Sequence, residues 1–228
     1  TIGTTFKGAV DPVDRIQEVL QDHTGYLHLD AALFGGFLPY TSHADEVRFQ
    51  SRNPSEKRYD SIAVSCHKFF GFPSPAGLFI TTENNFSEFN ELFSRVHNPE
   101  YIHQVPGTIT CSRDAVKPAE FYFHTTPSAR EINTKNAHSI LQNTAYLLEQ
   151  MQTHFPQLQP VRTDERSNIV YFRKPGNGIV EKFSLATMQW RELQVLQDYA
   201  HVVVMPHVSR QTIDEFLTDL DHDDTAQM

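Results

Sequence analysis

The chain has 228 residues, 39% of them apolar, enough for one large domain or two modest ones with a true hydrophobic core. Its net charge of −9 comes without any Lys/Arg-rich block, which argues against a nucleic-acid groove or an anionic membrane surface as partner, and no apolar run approaches the ~20 residues that span a bilayer. Two cysteines, Cys66 and Cys111, do not make a disulfide framework, and the start TIGTTFKGAV lacks the charge-then-apolar pattern of a secretory signal, so the expectation is a cytoplasmic protein.

Residues 12–22 set Val13, Ile16, Val19 and Leu20 at helical spacing behind an Asp11-Pro12 start signal, which predicts a helix. Residues 26–29 predict a short strand ending in Asp30-Ala31-Ala32. The polar stretch 41–60, rich in Ser, Arg and Asn, reads as a surface loop. Residues 61–65 (SIAVS) predict a strand that ends in Cys66-His67-Lys68, and 77–81 (GLFIT) a third strand. A helix over 82–100, with Phe86, Phe89, Leu92 and Phe93 in phase, completes an alternation that implies an α/β layer with a mainly parallel sheet. Residues 101–128, with Pro106, Gly107, Pro118 and Pro127, read as an irregular linker.

A long amphipathic helix follows over 129–153, its apolar face drawn from Ile132, Ala137, Ile140, Leu141, Ala145, Leu148 and Met151. Strands at 168–172 and 201–205, with helical pieces near 179–190 and 209–220, predict a smaller α+β domain. The acidic tail DLDHDDTAQM has the composition of a disordered end. The domain organisation expected is therefore 1–100, a linker at 101–128, and 129–228.

Ligands of open α/β sheets bind at the carboxyl ends of the strands. Three polar clusters fall there: Gly3-Thr4-Thr5, Asp30-Ala31-Ala32 and Ser65-Cys66-His67-Lys68. A lysine amine to bond an aldehyde, a carboxylate to pair with a ring nitrogen, hydroxyls and a histidine for a phosphate, and a small residue against a flat ring make up the set that pyridoxal phosphate requires. Each piece also has a plainer reading: a lysine after a strand is usually solvated, and an aspartate there is usually a turn or helix cap. The twelve histidines form no H-x-x-x-H pair, no C-x-x-C pair occurs, and adjacent Cys66 and His67 are poor geometry for one ion, so no metal site is expected.

Taken in order, GTTFKGAVD (3–11), HLDAALFGGFLPY (28–40), DSIAVSCHKFFGFPSPAGLFI (60–80), SRDAVKPAEFYF (112–123) and AHVVVMPHVS (200–209) resemble the motifs of the group II pyridoxal-phosphate-dependent amino-acid decarboxylases, most of all the bacterial histidine decarboxylase and plant serine decarboxylase branches. The resemblance covers nearly the whole chain. It implies the aspartate-aminotransferase-like fold, fold type I, with a partial large domain and a C-terminal α+β small domain, working as a homodimer on a small amino-acid substrate. Histidine is the first expectation for that substrate, with serine, then glutamate or an aromatic amino acid, behind it. Lys68 resembles the Schiff-base lysine, Asp30 the partner of the pyridine nitrogen, and Ala32 the residue against one ring face. Ser65 and His67 resemble phosphate-side ligands. Thr5, with Thr4 beside it, resembles the threonine near the ring substituents, and Ser112 the serine that reaches a neighbouring subunit's phosphate.

Four departures stand out. The family carries a stacking histidine and a phosphate-gripping loop upstream of the GTT motif, and this chain starts at Thr1. Cys66 stands where the family commonly has glycine, and Asp114-Ala115-Val116-Lys117 replaces the histidine decarboxylases' Asn-Gly-His-Thr. Residues 185–199 also exceed the family's usual link to the His-Val-Val-Val-Met-Pro strand. The resemblance therefore also admits a shortened relative that serves as an interaction or dimerisation module.

Overall fold

A computed structural model describes residues 1–20, 25–50, 57–96, 100–101, 113–192 and 194–227. The chain divides into two compact units. The first comprises Pro12–Gly36 and Arg48–Arg130, and the second Thr1–Asp11, Phe37–Val47 and Glu131–Met228.

The first unit opens with helix α1 (Val13–Leu20) and strand β1 (His28–Asp30), followed by the short helix α2 (Phe34–Phe37), whose last residue belongs to the second unit. Strands β2 (Ser61–Ser65) and β3 (Gly77–Thr81) complete a three-stranded sheet of order β1-β2-β3, in which β1 and β2 run parallel and β2 and β3 antiparallel. Helix α3 (Glu83–Ser94) starts where Thr82 caps it, its side chain accepting from the Asn85 N–H at 3.1 Å. Helix α4 (Val116–His124) lies inside the stretch expected to be irregular. Pro118 is tolerated because it falls in the first turn, whose N–H groups have no intrahelical partner, and the Asp114 carboxylate takes up the Val116 N–H at 2.9 Å. The expected loop 41–60 also needs correction: Ala44–Val47 forms a 3-10 turn, and Arg58, Tyr59 and Asp60 are buried. Residues 51–56 lie outside the described residues.

Helix α5 (Pro127–His154) begins with proline at its first position, where the missing N–H costs nothing. Its buried stripe is Ala129, Asn133, Ala137, Ile140, Thr144, Leu147 and Met151, in steps of three and four. Two members of that stripe are polar. Thr144 is accommodated because its hydroxyl donates to the Ile140 carbonyl at 2.7 Å, while Ile132, expected on the apolar face, is 56% exposed.

Strand β4 (Ile169–Arg173), helix α6 (Asn177–Lys182), strands β5 (Ala186–Glu192) and β6 (Val195–Val203), helix α7 (Arg210–Asp221) and helix α8 (Asp224–Gln227) complete the second unit. Its sheet is antiparallel with order β4-β6-β5. The helix expected near 179–190 stops at Lys182. Ser184 turns the chain with a left-handed φ of 50°, and the rest becomes a hairpin in which Trp190 stacks on Tyr199 at 3.5 Å between centroids. The extra length of residues 185–199 is this hairpin. The core joins Leu147 and Met151 of α5 to Val170, Phe172, Ala200, Ile213, Phe216 and Leu220. The tail is ordered as far as α8, because Ala226 is fully buried in that core and the Gln157 side chain holds its carbonyl.

Residues 1–11, expected with the first domain, belong to the second unit. Phe6 stacks on His201 at 4.4 Å, and its carbonyl meets His201 Nδ1 at 2.8 Å. The Lys7 ammonium lies 4.2 Å from the Trp190 ring centre, and the Thr163 hydroxyl donates to the Lys7 carbonyl.

Gly36 touches Phe69 so closely that an added Cβ would sit 2.7 Å from the Phe69 Cβ. Gly36→Ala ordinarily favours a helix, but here overpacking outweighs propensity. The expected outcome is a loss of about 1–3 kcal/mol in urea-unfolding free energy.

Candidate active site

The parallel register His28↔Ser61, Leu29↔Ile62, Asp30↔Ala63 sets the ends of β1 and β2 side by side. The ladder runs past both strands: the Ala31 N–H donates to the Ala63 carbonyl at 3.0 Å, and the Ser65 N–H to the Ala32 carbonyl at 2.9 Å. Asp30-Ala31-Ala32 and Ser65-Cys66-His67-Lys68 are thus neighbours at the carboxyl edge of one sheet, where strand ends offer a ligand their side chains.

Alternation along β1 buries Leu29 and leaves His28 and Asp30 exposed. The Asp30 carboxylate accepts the Ala32 N–H at 3.2 Å, which orients it while leaving lone pairs for a partner. Ala31 is fully buried and Ala32 half-buried.

After β2 the chain turns, and the Lys68 N–H donates to the Ser65 carbonyl at 3.2 Å. Lys68 is half-buried, between buried Cys66 and buried Phe69. Cys66 fits without strain: its φ is not positive, so nothing in the backbone demands glycine there, and burial pushes its thiol pKa up. The Cys66 N–H donates to the Ala76 carbonyl at 2.9 Å. The exposed His67 is fixed by the same residue, with Nδ1 3.2 Å from the Ala76 nitrogen and 3.1 Å from its carbonyl oxygen.

Asp60, immediately before β2, holds this arrangement from the opposite end. Its carboxylate accepts the Leu27 N–H at 2.6 Å and pairs with Lys57. Its carbonyl receives the Thr81 hydroxyl at 2.9 Å and the Asn85 amide at 3.2 Å. Burial alone would raise the Asp60 pKa, but Lys57, the Leu27 N–H and Asn85 together hold it below the ordinary carboxylate value. Nothing in the sequence distinguishes Asp60 from a loop aspartate except its place just ahead of an apolar run.

Of the other expected residues, Thr5 lies in the second unit and Ser112 outside the described residues. The loop that carries Thr5 is closed by the Gly3 and Thr4 N–H groups donating to the Ala9 carbonyl and by the Ala9 N–H donating to the Thr4 hydroxyl at 2.9 Å. Gly8 closes it with a φ of +67°, where a side chain is disfavoured. The Thr4 hydroxyl thus staples the loop, while Thr5 is exposed on it.

A lysine turn and a carboxylate at adjoining strand ends of an α/β sheet are groups that a bound cofactor could use. The pyridoxal-dependent decarboxylase conserved domain matches residues 1–174, and the chain belongs to that family. The chain is similar to histidine decarboxylase of Solanum lycopersicum, 29% identical over 96% of this chain and 49% of that protein. It is also similar to serine decarboxylase 2 of Oryza sativa, 33% identical over 96% of this chain and 43% of the relative. Among solved structures, L-methionine decarboxylase from Streptomyces sp. 590 superposes with a TM-score of 0.81 at 25% identity, covering 98% of this chain and 52% of that one. The fold is that of the fold type I pyridoxal-phosphate enzymes. The chain spans about half the length of the curated relatives it matches.

Asp60→Ala leaves the Leu27 N–H unpaired and is expected to cost about 1–3 kcal/mol at neutral pH, read by denaturant unfolding. Because the folded pKa lies below the unfolded one, the carboxylate's contribution is present above the unfolded value and lost as pH falls through the folded one. The gap between the two proteins should therefore narrow below the carboxylate range.

Proposed function

We propose that the chain carries the cofactor-bonding wall of a pyridoxal-phosphate-dependent amino-acid decarboxylase, with Lys68 as the residue that bonds the cofactor. The observation that carries this reading is the parallel β1–β2 register, which sets Asp30 and the Lys68 turn at adjoining strand ends of one sheet. The donor set fits the group: an oriented, exposed carboxylate, a half-buried lysine on a closed turn, a small Ala32, and a hydroxyl and an imidazole on the residues just before that lysine.

When bound, pyridoxal phosphate supplies an electron sink for the pair left on Cα as CO2 departs. The chain's own part is electrostatic and positional. Asp30 holds a proton on the ring nitrogen by pairing with it, and Ala32 leaves room for a flat ring. Ser65 and His67 serve the phosphate side. In the tautomer in which Nδ1 accepts the Ala76 N–H, His67 Nε2 carries the proton and is a donor, the form that suits a phosphate oxygen. The Lys68 amine is the group that meets the substrate's amine and can return a proton to Cα.

The same reading assigns Thr5 to the ring substituents and makes the protein a cytoplasmic homodimer in which Ser112 reaches the neighbour's phosphate. Support comes from the resemblance of the GTT and Ser-Arg segments, and for the location from a sequence whose two cysteines make no disulfide framework. Histidine is the proposed substrate, supported by the similarity to the tomato enzyme. Serine stands second, supported by the rice enzyme, with glutamate behind.

The test uses the protein expressed from its own gene and mixed with pyridoxal phosphate. Visible absorbance should appear in the native protein and vanish in Lys68→Ala, and borohydride should leave the reduced adduct on the Lys68 peptide. A band that survives Lys68→Ala overturns the assignment. Asp30→Asn should lower turnover on the order of 10²–10³-fold, as expected for the loss of a preorganised electrostatic partner. With a panel of amino acids, histamine should be the main amine, and ethanolamine as the main product would put serine in its place.

A further inference from the structure

Helix α4 bears on the turn that carries Lys68. That turn runs Lys68-Phe69-Phe70-Gly71-Phe72, and the Phe72 N–H donates back to the Cys66 carbonyl at 3.5 Å, so Lys68 sits inside a loop closed at Phe72. On one side Phe69 is buried against Gly36. On the other, the His124 ring lies 5.2 Å from Phe70 and 5.3 Å from Phe72, near-parallel to Phe72 at 23°. Lys117, two turns earlier on the same face of α4, places its ammonium 5.8 Å from the centre of Phe72 while Glu120 holds it at 2.7 Å.

His124 is used here as a flat ring. Its Nδ1 is buried and has no hydrogen-bond partner among the described residues. Burial pulls its pKa down, against the opposing pull of Glu120, which favours the neutral imidazole that stacks on phenylalanine. A buried Nδ1 without a partner is a cost that a hydrocarbon ring would avoid, so the stacking and not a hydrogen bond is what the site uses.

We propose that His124 is a positioning residue for Lys68: its ring braces Phe70 and Phe72, and through the closed loop it fixes the backbone from which the lysine amine reaches the cofactor. This rests on the decarboxylase reading. It adds to it a residue from helix α4, 56 positions along the chain, that touches neither cofactor nor substrate in its proposed role.

The experiment compares His124→Ala, His124→Gln and His124→Phe in the protein expressed from its own gene. Pyridoxal phosphate is titrated against the Lys68-dependent absorbance, and unfolding is followed in parallel. His124→Ala and His124→Gln should weaken cofactor affinity about ten- to hundredfold, the scale of a small misplacement of a reacting group. His124→Phe, which keeps the ring, should stay within about twofold of the native value. Ile213→Val, in the core of the other unit, should lower stability and leave affinity unchanged, which separates positioning from general destabilisation. If His124→Ala does not fold, the contrast between Gln and Phe decides. Native affinity in His124→Gln, or a loss in His124→Phe as large as in His124→Gln, overturns the positioning role and leaves the decarboxylase reading standing. Absence of any Lys68-dependent band in the native protein overturns that reading, and the positioning role with it.

Discussion

The parallel pairing of β1 with β2 is the constraint from which the rest of the first unit follows. Side chains alternate across a strand, so a slip of one residue would turn Asp30 toward the face that buries Leu29 and bring Leu29 out in its place. Parallel strands cannot be joined by a tight turn and need a long crossover. Residues 31–60 provide it, and a connection that long leaves the register to be set by something other than loop geometry. Asp60 supplies that control. Its carboxylate grips the Leu27 N–H ahead of β1, and its carbonyl is held from the far side by Thr81 and Asn85. One residue thereby ties β1, β2, β3 and the start of α3 together, at the end of the sheet opposite the Lys68 turn.

The strands of this unit were legible because their signals are local. SIAVS and GLFIT are short apolar runs bounded by turn residues, and both coincide with β2 and β3. The long helix was legible for the same reason, although its face was misjudged: Asn133 and Thr144 are polar residues inside the buried stripe, and their tolerance depends on hydrogen bonds that a hydrophobicity pattern does not register. The β5–β6 hairpin was missed because its sequence mixes polar and apolar residues without a clear period, and its pairing is set by partners such as Trp190 and Tyr199 that meet only after folding. The placement of residues 1–11 in the second unit had no local signal at all. It depends on Phe6 meeting His201, 195 positions away.

The candidate site divides in the same way. The positions of Lys68, Asp30, Ala32, Ser65 and His67 at the sheet edge were readable because each stands at the end of a readable strand. Thr4 and Thr5 could not be told apart in the sequence, since their difference lies in which hydroxyl closes the loop. Asp60 opens the 60–80 motif and His124 directly follows the 112–123 motif, yet neither showed its part in the sequence, because what each does is defined by neighbours distant in sequence. The apolar exposure of the first unit has a similar origin. Phe79 is 60% exposed on β3, which among the described residues is an edge strand, and Leu92 and Tyr122 are exposed on α3 and α4. Surface of that kind favours association through strand edges and apolar patches, and local patterning alone reads it as core.

In its proposed role, Lys68 must meet two requirements that usually conflict. An amine that must bond one partner and then yield it to another has to move, whereas a reacting group has to be held within a fraction of an ångström of its target. The turn separates these demands along the chain. Cys66 and Phe69, on either side of the lysine, are both buried, the backbone is closed by Lys68 N–H to Ser65 and Phe72 N–H to Cys66, and His124 braces the outer phenylalanines. The lysine itself is only half-buried. The main chain and the apolar residues that flank it are thus held in place, and mobility is left to the four-carbon stem, the one part of the residue that the proposed chemistry needs to swing.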